Sequence, residues 1–292
     1  MSPMETVLSS AGKKVTIAWD RPTVIVGERI NPTGRKKLAE ALRAGDMSIV
    51  AREVTAQIEA GADVIDINVG AAGVDEVRIL PMAVQTAMET ADVPLAIDTS
   101  NPDALEAALK VYRGKALVNS VNGEERSLSR VLPLVKEYGA AVIGLTMDEN
   151  GIPNDPQQRL RIAERIVERA ERMGIPREDV LIDCLALTVG ADSKAGRVTL
   201  EAIRLVAREL GVNQALGASN VSYGLPDRDI VNAAFLAMTI ASGVTCPIVD
   251  AAKVRPLILA VDLLLGRDDY AMRYLRDYRR RQKAAAAGTA GA

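Results

Sequence analysis

Eight short runs of apolar or β-branched residues alternate with eight stretches of helical periodicity along this chain, a pattern of successive parallel βαβ units. The runs cover 23–27, 64–69, 94–98, 116–119, 140–146, 180–183, 215–219 and 247–250. Between them, apolar residues recur three and four apart, as at Ala104, Leu105, Ala108 and Leu109, or at Leu160, Ala163, Ile166, Val167 and Ala170. Gly139, Gly174, Gly211 and Gly243 stand where a left-handed helix cap precedes the next strand. Asn101-Pro102 and Asp155-Pro156 read as helix starts, a capping side chain ahead of Pro at the first helical position. An open doubly wound sheet would share this alternation. Eight near-equal units without a Gly-rich dinucleotide turn instead predict closure into an α/β, (β/α)8 TIM barrel.

The barrel is expected over 23–266. Residues 1–22 form an N-terminal extension whose alternating Lys14-Val-Thr-Ile-Ala18 segment predicts a strand or hairpin closing the barrel bottom. An added C-terminal helix is expected over 267–283, starting near Tyr270, and an Ala/Gly-rich disordered tail over 284–292. Residues 1–12 carry neither the basic start nor the apolar run of a signal peptide, so the expected location is cytoplasmic. Cys184 and Cys246 belong to no metal or redox motif and are expected to be buried thiols. A net charge of −2 with both signs mixed gives no steering toward nucleic acid or anionic lipid.

The sequence contains no His, which removes imidazole bases, Ser-His and Cys-His nucleophile pairs, and His-bearing metal sites. What remains is a set of acids and amides at the ends of the runs: Glu28 and Asn31, Asp66 and Asn68, Asp98, Asn119 and Asn122, Asp183, Asn220 and Asp250. Such positions converge on the one mouth where barrels of this kind carry their sites. Helix capping accounts for Asn101 and Asp155. Asp98, Asn119 and Asp183 sit within apolar runs or at their very ends and are expected to point into the mouth, where buried carboxylates need partners. Arg29 and Arg228 are too few to neutralise them. A ligand with adjacent N–H donors would satisfy them, and a 2-amino-4-oxo-pteridine has such an edge. The loops after the last two strands lack the Gly cluster of a sugar-phosphate site, and acids interleaved with amides on separate strands disfavour a metal site, so none is expected.

The blocks Val24-Ile-Val-Gly27-Glu28-Arg29-Ile-Asn31, Asp66-Ile-Asn68-Val-Gly70, Ile97-Asp98-Thr-Ser100, Val118-Asn119-Ser120 and Gly217-Ala-Ser-Asn220-Val-Ser222 resemble the pterin-binding methyltransferase family. That family includes methyltetrahydrofolate:corrinoid/iron-sulfur protein methyltransferase and the folate module of cobalamin-dependent methionine synthase. The resemblance runs in order from about Val24 to Leu265 and implies a barrel of the dihydropteroate synthase-like type. It implies that Asp98, Asn119 and Asp183 grip the aminopyrimidinone edge, and that Asn220 hydrogen-bonds N5, where the methyl group is carried. Gly217, Arg228 and Ile248 match pocket-lining positions, and Glu28 and Asn68 match places near the ring. The implied activity is methyl transfer between N5 of 5-methyltetrahydrofolate and the cobalt of cobalamin on a corrinoid protein partner, in either direction, by a homodimer. That partner is expected to dock over loops 71–78, 188–197 and 223–227.

Three alternatives stand beside this reading. Dihydropteroate synthase shares the barrel and the grip, but its Lys-bearing loop and terminal Arg motif have no counterpart here; Lys253-Val-Arg255 is a poor substitute. A non-catalytic folate carrier would have no use for Asn220, and a metal-assisted lyase would use the acids as ligands. The stretch Thr188-Val-Gly-Ala-Asp-Ser-Lys-Ala-Gly-Arg197, and Cys184 where Pro is expected, depart from the family pattern and bear on the folate tail and the partner.

Overall fold

The computed structural model describes residues 3–289. Two antiparallel strands, β1 (Thr6–Ser9) and β2 (Lys14–Ile17), form a hairpin, and eight parallel strands follow. These are β3 (Val26–Ile30), β4 (Val64–Asn68), β5 (Leu95–Asp98), β6 (Leu117–Asn122), β7 (Ala141–Leu145), β8 (Val180–Asp183), β9 (Gln214–Gly217) and β10 (Cys246–Val249). They pair in chain order, and β10 returns to β3 to close the barrel. Closure leaves no sheet edge, so every strand is flanked on both sides and its apolar residues are buried almost without exception.

Two layers of packing hold this arrangement. Outside the sheet, helix stripes face the strands: helix Pro102–Val111 buries Ala104, Leu105, Ala108 and Leu109, the set its periodicity predicts. Both expected caps form, Asn101 accepting from the Asp103 and Ala104 amides and Asp155 from that of Gln157. Inside the barrel, Val26, Val64, Leu117, Ile143, Leu181 and Ile248 fill the centre. The hairpin belongs to this inner cluster, since Leu8, Val15 and Ile17 turn toward it and close the amino-terminal mouth. Asn213, buried at the start of β9, fixes the hairpin by donating to the carbonyls of Met4 and Ile17 and to the Thr6 hydroxyl.

The first barrel strand begins three residues later than its apolar run suggests. Residues 23–25 are instead drawn down by polar groups: the Thr23 amide and hydroxyl bond the buried Asp262, and the Ile25 amide bonds the Asp63 carboxylate. Glu28 therefore lies within β3 and not after it, in a stretch where the pairing with β4 is irregular between Gly27 and Ile30. A second correction concerns the C-terminus. The last helix spans Met272–Thr289, so the segment expected to be disordered is helical over 284–289; 290–292 lie outside the described residues. Buried Asp277, bonded by Arg255, Arg280 and Arg281, and Asp262, which pairs with Arg267 and Arg273, attach this extension to the barrel.

Both cysteines are buried free thiols, as expected from their isolation in the sequence. No helix among the described residues is long and apolar enough to cross a membrane.

Leu8 is fully buried at the centre of the bottom plug. Leu8→Ala removes three buried carbons and leaves a cavity that the closed barrel cannot collapse. A loss of about 3 kcal/mol in urea-unfolding free energy is expected.

Candidate functional site

Parallel strands in a closed barrel all end at the same mouth, and here the register sets specific polar residues side by side. Asn68 on β4 is opposite Asp98 on β5, which is opposite Asn119 on β6. Adjacent strands lie about 4.8 Å apart, so the three side chains form a continuous polar row. Asn68 Nδ2 donates to Asp98 Oδ2 at 2.9 Å, and Asn119 Nδ2 donates to Asp66 Oδ1 at 3.1 Å. Asp98 and Asn119 are thereby left with free carbonyl-type oxygens beside one another, two acceptors on neighbouring strands. Further round the rim, Asn31 Nδ2 donates to Glu28 Oε1 at 3.0 Å.

Asp183 lies on β8 and is buried, with both oxygens engaged by backbone: the Leu185 amide reaches Oδ1 at 2.6 Å and the Gly217 amide Oδ2 at 3.3 Å. Gly217, at the end of β9, pairs with Ile248 on β10, which pairs with Val26 on β3. The Asn220 amide lies over the strand end at Gly217, its Nδ2 3.6 Å from where a Cβ at Gly217 would stand, an ordinary contact distance. Asn220 itself is exposed, in the 3-10 turn Ala218–Ser222. Arg228 braces that turn, donating to Ser222 Oγ at 2.9 Å and to the Ser219 carbonyl at 2.8 Å.

Three open depressions divide the mouth. The largest, about 830 Å³, has Glu28, Asn31, Asn220, Arg228 and Asp250 in its wall. One of about 530 Å³ is lined by Asp98, Asn119 and Asn122, and one of about 410 Å³ by Asn68, Gly70 and Glu76. The expected residues thus fall into two groups, Asn68, Asp98 and Asn119 on one arc, and Asp183, Gly217, Asn220, Ile248 and Glu28 on the other.

Desolvation dominates the electrostatics. Burial raises the Asp98 pKa to about 6, against the opposing hydrogen bond from Asn68. Burial likewise raises Asp183 to about 6, against its two backbone N–H bonds and the charge of Arg159. Burial, with the like charge of Asp98 and Asp250, raises Glu28 as well. Asp66 is pushed well above the ordinary carboxylate range, chiefly by burial and then by Asp98 and Glu28. The two arginines seen from sequence do little to relieve this: Arg29 pairs with Asp250 at 3.4 Å and only partly offsets the rise at Glu28, and Arg228 is spent on the Asn220 turn.

Two residues of the site have no specific task in the sequence reading, although Asp66 stands among the acids of the mouth. Asp66 is fully buried beneath the row, and its Oδ2 has no hydrogen-bond partner among the described residues. Its position two residues before Asn68, on the same strand face, is a signal for it. Arg159 is buried behind Asp183 and donates to the carbonyls of Cys184 and Leu185. Its signal is its place in the apolar stripe of helix Pro156–Arg172, one residue before Leu160. Among the described residues no group of His, Cys, Asp and Glu is arranged to hold a metal ion.

Comparison with known proteins agrees with this geometry. The model of the family described as "Pterin binding enzyme" matches residues 27–250. The chain is 32% identical over 289 residues to methionine synthase of Mycobacterium tuberculosis (strain ATCC 25618 / H37Rv), a match that covers 91% of this chain and 24% of that protein. It is 27% identical over 266 residues to the methylcorrinoid:tetrahydrofolate methyltransferase of Eubacterium limosum, covering 88% of this chain and 96% of that one. The chain thus spans about a quarter of the methionine synthase but nearly all of the second relative. Among solved structures, dihydropteroate synthases of Xanthomonas albilineans (TM-score 0.66, 20% identity, 91% of this chain and 99% of that chain) and Yersinia pestis (0.67, 19%, 89% and 99%) share the fold. The match of the family model over residues 27–250 shows that the chain belongs to the pterin-binding enzyme family.

Proposed function

We propose that this protein transfers a methyl group between N5 of 5-methyltetrahydrofolate and the cobalt of a corrinoid carried by a partner protein. The observation that carries the reading is the row of acceptors formed by Asp98 and Asn119, with Asp183 across the mouth and Asn220 above the Gly217 strand end. Near full-length similarity to a methylcorrinoid:tetrahydrofolate methyltransferase supports the choice of reaction. The likeness to dihydropteroate synthases, at 19–20% identity, speaks for the fold alone.

Each side chain then has a defined task. Asn119 spends its N–H on Asp66 and offers its oxygen, and Asp98 is oriented by Asn68, so the pair accepts from neighbouring N–H groups of the aminopyrimidinone. Asp183 takes the remaining donor. Methyl transfer breaks the N5–CH3 bond, and the bonding pair stays on nitrogen while the methyl group goes to reduced cobalt. The nitrogen leaves poorly unless hydrogen bonding or a proton stabilises the pair. Asn220 supplies a preorganised amide dipole at that atom, with the proton delivered by solvent. The same arrangement serves the reverse transfer.

Incubation of purified protein with 5-methyltetrahydrofolate and reduced cobalamin should generate methylcobalamin, and no transfer would reject the reading. In the same assay Asn220→Ala should lower kcat by about a hundredfold or more, with folate affinity changed only a few fold. Equal losses in both would remove the catalytic role of Asn220.

The pH dependence follows from the raised carboxylates. Because Asp98 and Asp183 titrate near 6 in the folded protein, above their ordinary range, the native state binds more protons than the unfolded chain below that pH. Their contribution therefore destabilises the free protein as pH rises toward 6, in full above it. Folate binding needs both ionised, so affinity should hold above pH 7 and fall as pH drops through 6. Asp98→Asn should raise the melting temperature at pH 7.5 while weakening folate binding by about tenfold. A variant that lost both would contradict this assignment.

The partner's cobalt must reach the open mouth, which supports a docking face over loops 71–78, 188–197 and 223–227. Tyr223 is 70% exposed there. Charge reversal at Arg78 and Asp227 should slow transfer with corrinoid protein and leave transfer with free cobalamin unchanged. Identical kinetics with both acceptors would move the docking face elsewhere.

A further inference from the structure

Arg159 is the largest side chain that the fold buries completely. A guanidinium in such a place is costly without a counter-ion, and its hydrogen bonds go to neutral oxygens. Nε donates to the Pro153 carbonyl at 2.8 Å; Nη1 donates to the carbonyls of Cys184 at 2.6 Å and Leu185 at 2.7 Å, and to Thr199 Oγ1 at 3.2 Å. Nη2 has no hydrogen-bond partner among the described residues. Such a residue is poorly explained as packing.

Its targets are the two residues that follow Asp183. Leu185 stands at φ 58, a left-handed conformation that a bulky side chain rarely adopts. Arg159 and Thr199, whose hydroxyl also donates to the Leu185 carbonyl at 2.9 Å, hold it there. At the start of the same bend the Leu185 amide donates to Asp183 Oδ1. The same loop then reaches the Asn220 turn: the Val189 amide bonds the Val221 carbonyl at 2.9 Å, and Thr188 Oγ1 bonds the Tyr223 carbonyl at 2.7 Å.

We infer that Arg159 is a positioning residue, which clamps the backbone after β8 so that Asp183, and through the loop Asn220, face the bound pterin. The inference rests on the proposed folate site. Its cation acts on Asp183 too, favouring the ionised, accepting carboxylate that burial disfavours.

A set of double mutants separates this role from general loosening of the barrel. Binding of 5-methyltetrahydrofolate is measured calorimetrically for Arg159→Lys in the wild-type, Asp98→Asn and Asp183→Asn backgrounds. The lysine should raise Kd about tenfold in the first two and less than about twofold in the third, where its target is already altered. An unchanged Kd, or an equal loss in all three, would overturn the inference. Thr199→Val, which removes the second donor to Leu185, should reproduce the pattern with a smaller loss, and it decides the question if the lysine variant does not fold. A ligand-free readout keeps the test separate from the folate reading: the 13C carboxyl shift of Asp183 is followed against pH. Arg159→Met should move its midpoint upward by about one unit and leave that of Asp98 in place. A midpoint that stays fixed would overturn the role, whereas wild-type protein that binds no folate sinks the proposed function instead.

Discussion

Desolvation of carboxylates gathered at one mouth by barrel closure is the constraint on which the rest of this site depends. Eight strands point the same way, so acids on β3, β4, β5 and β8 lose water together, and Glu28, Asp66 and Asp98 repel one another as well. The chain answers with amides and not with cations. Asn68 donates to Asp98, Asn119 to Asp66, Asn31 to Glu28, and backbone N–H groups to Asp183. The distinction matters for recognition. A bidentate arginine would occupy both oxygens of a carboxylate, whereas one amide N–H satisfies a single oxygen and leaves the other free to accept. Arg29 and Arg228 are accordingly held at the edge by Asp250 and by the Asn220 turn.

This arrangement stores unfavourable electrostatics, and the stabilising parts of the molecule lie at the other end. The hairpin fills the bottom of the barrel with Leu8, Val15 and Ile17, and buried Asp262 ties Thr23, at the entrance to β3, to the arginines of the C-terminal extension. Rim and base thus divide the labour found in barrels generally, the one end carrying the site and the other stability.

Much of this was legible in the sequence because barrel strands are buried on both faces and must read as apolar runs. An acid that interrupts such a run, as Asp98 and Asp183 do, is conspicuous, and the rim residues could be named without coordinates. What stayed hidden depends on contacts distant in sequence. The start of β3 is set by Asp262, 239 residues away, whose bond to the Thr23 hydroxyl outweighs the apolar pattern. The last helix continues through Ala-rich residues that lack side chains to predict packing, yet Ala is the best helix former, and intrinsic propensity suffices for a terminal extension. The task of Arg159 was invisible for another reason. On a helix with many exposed arginines, Arg159's place in the apolar stripe marks it as buried, but nothing local says that its partners are carbonyls beyond β8.

The shared fold and the divergent chemistry of pterin-binding barrels follow from where each is encoded. Under the proposed reading the heterocycle is gripped from strand ends, whose register is fixed by closure; the architecture itself is shared at near 20% identity. Under the proposed reaction, reactivity at N5 would be set by the loops after β8 and β9, which hold left-handed residues at Leu185 and Asp227 and are tied to each other by Thr188 and Val189. Those loops can change without disturbing the barrel. In a chain with no His, the group offered to N5 under the proposed reaction is a neutral amide, which does not titrate. Its action is then independent of pH, and acid sensitivity enters through the carboxylates that bind the ring. Under that reading binding follows the ionisation of Asp98 and Asp183 near pH 6, whereas the Asn220 amide keeps one state and pH reaches the chemical step only through the solvent proton.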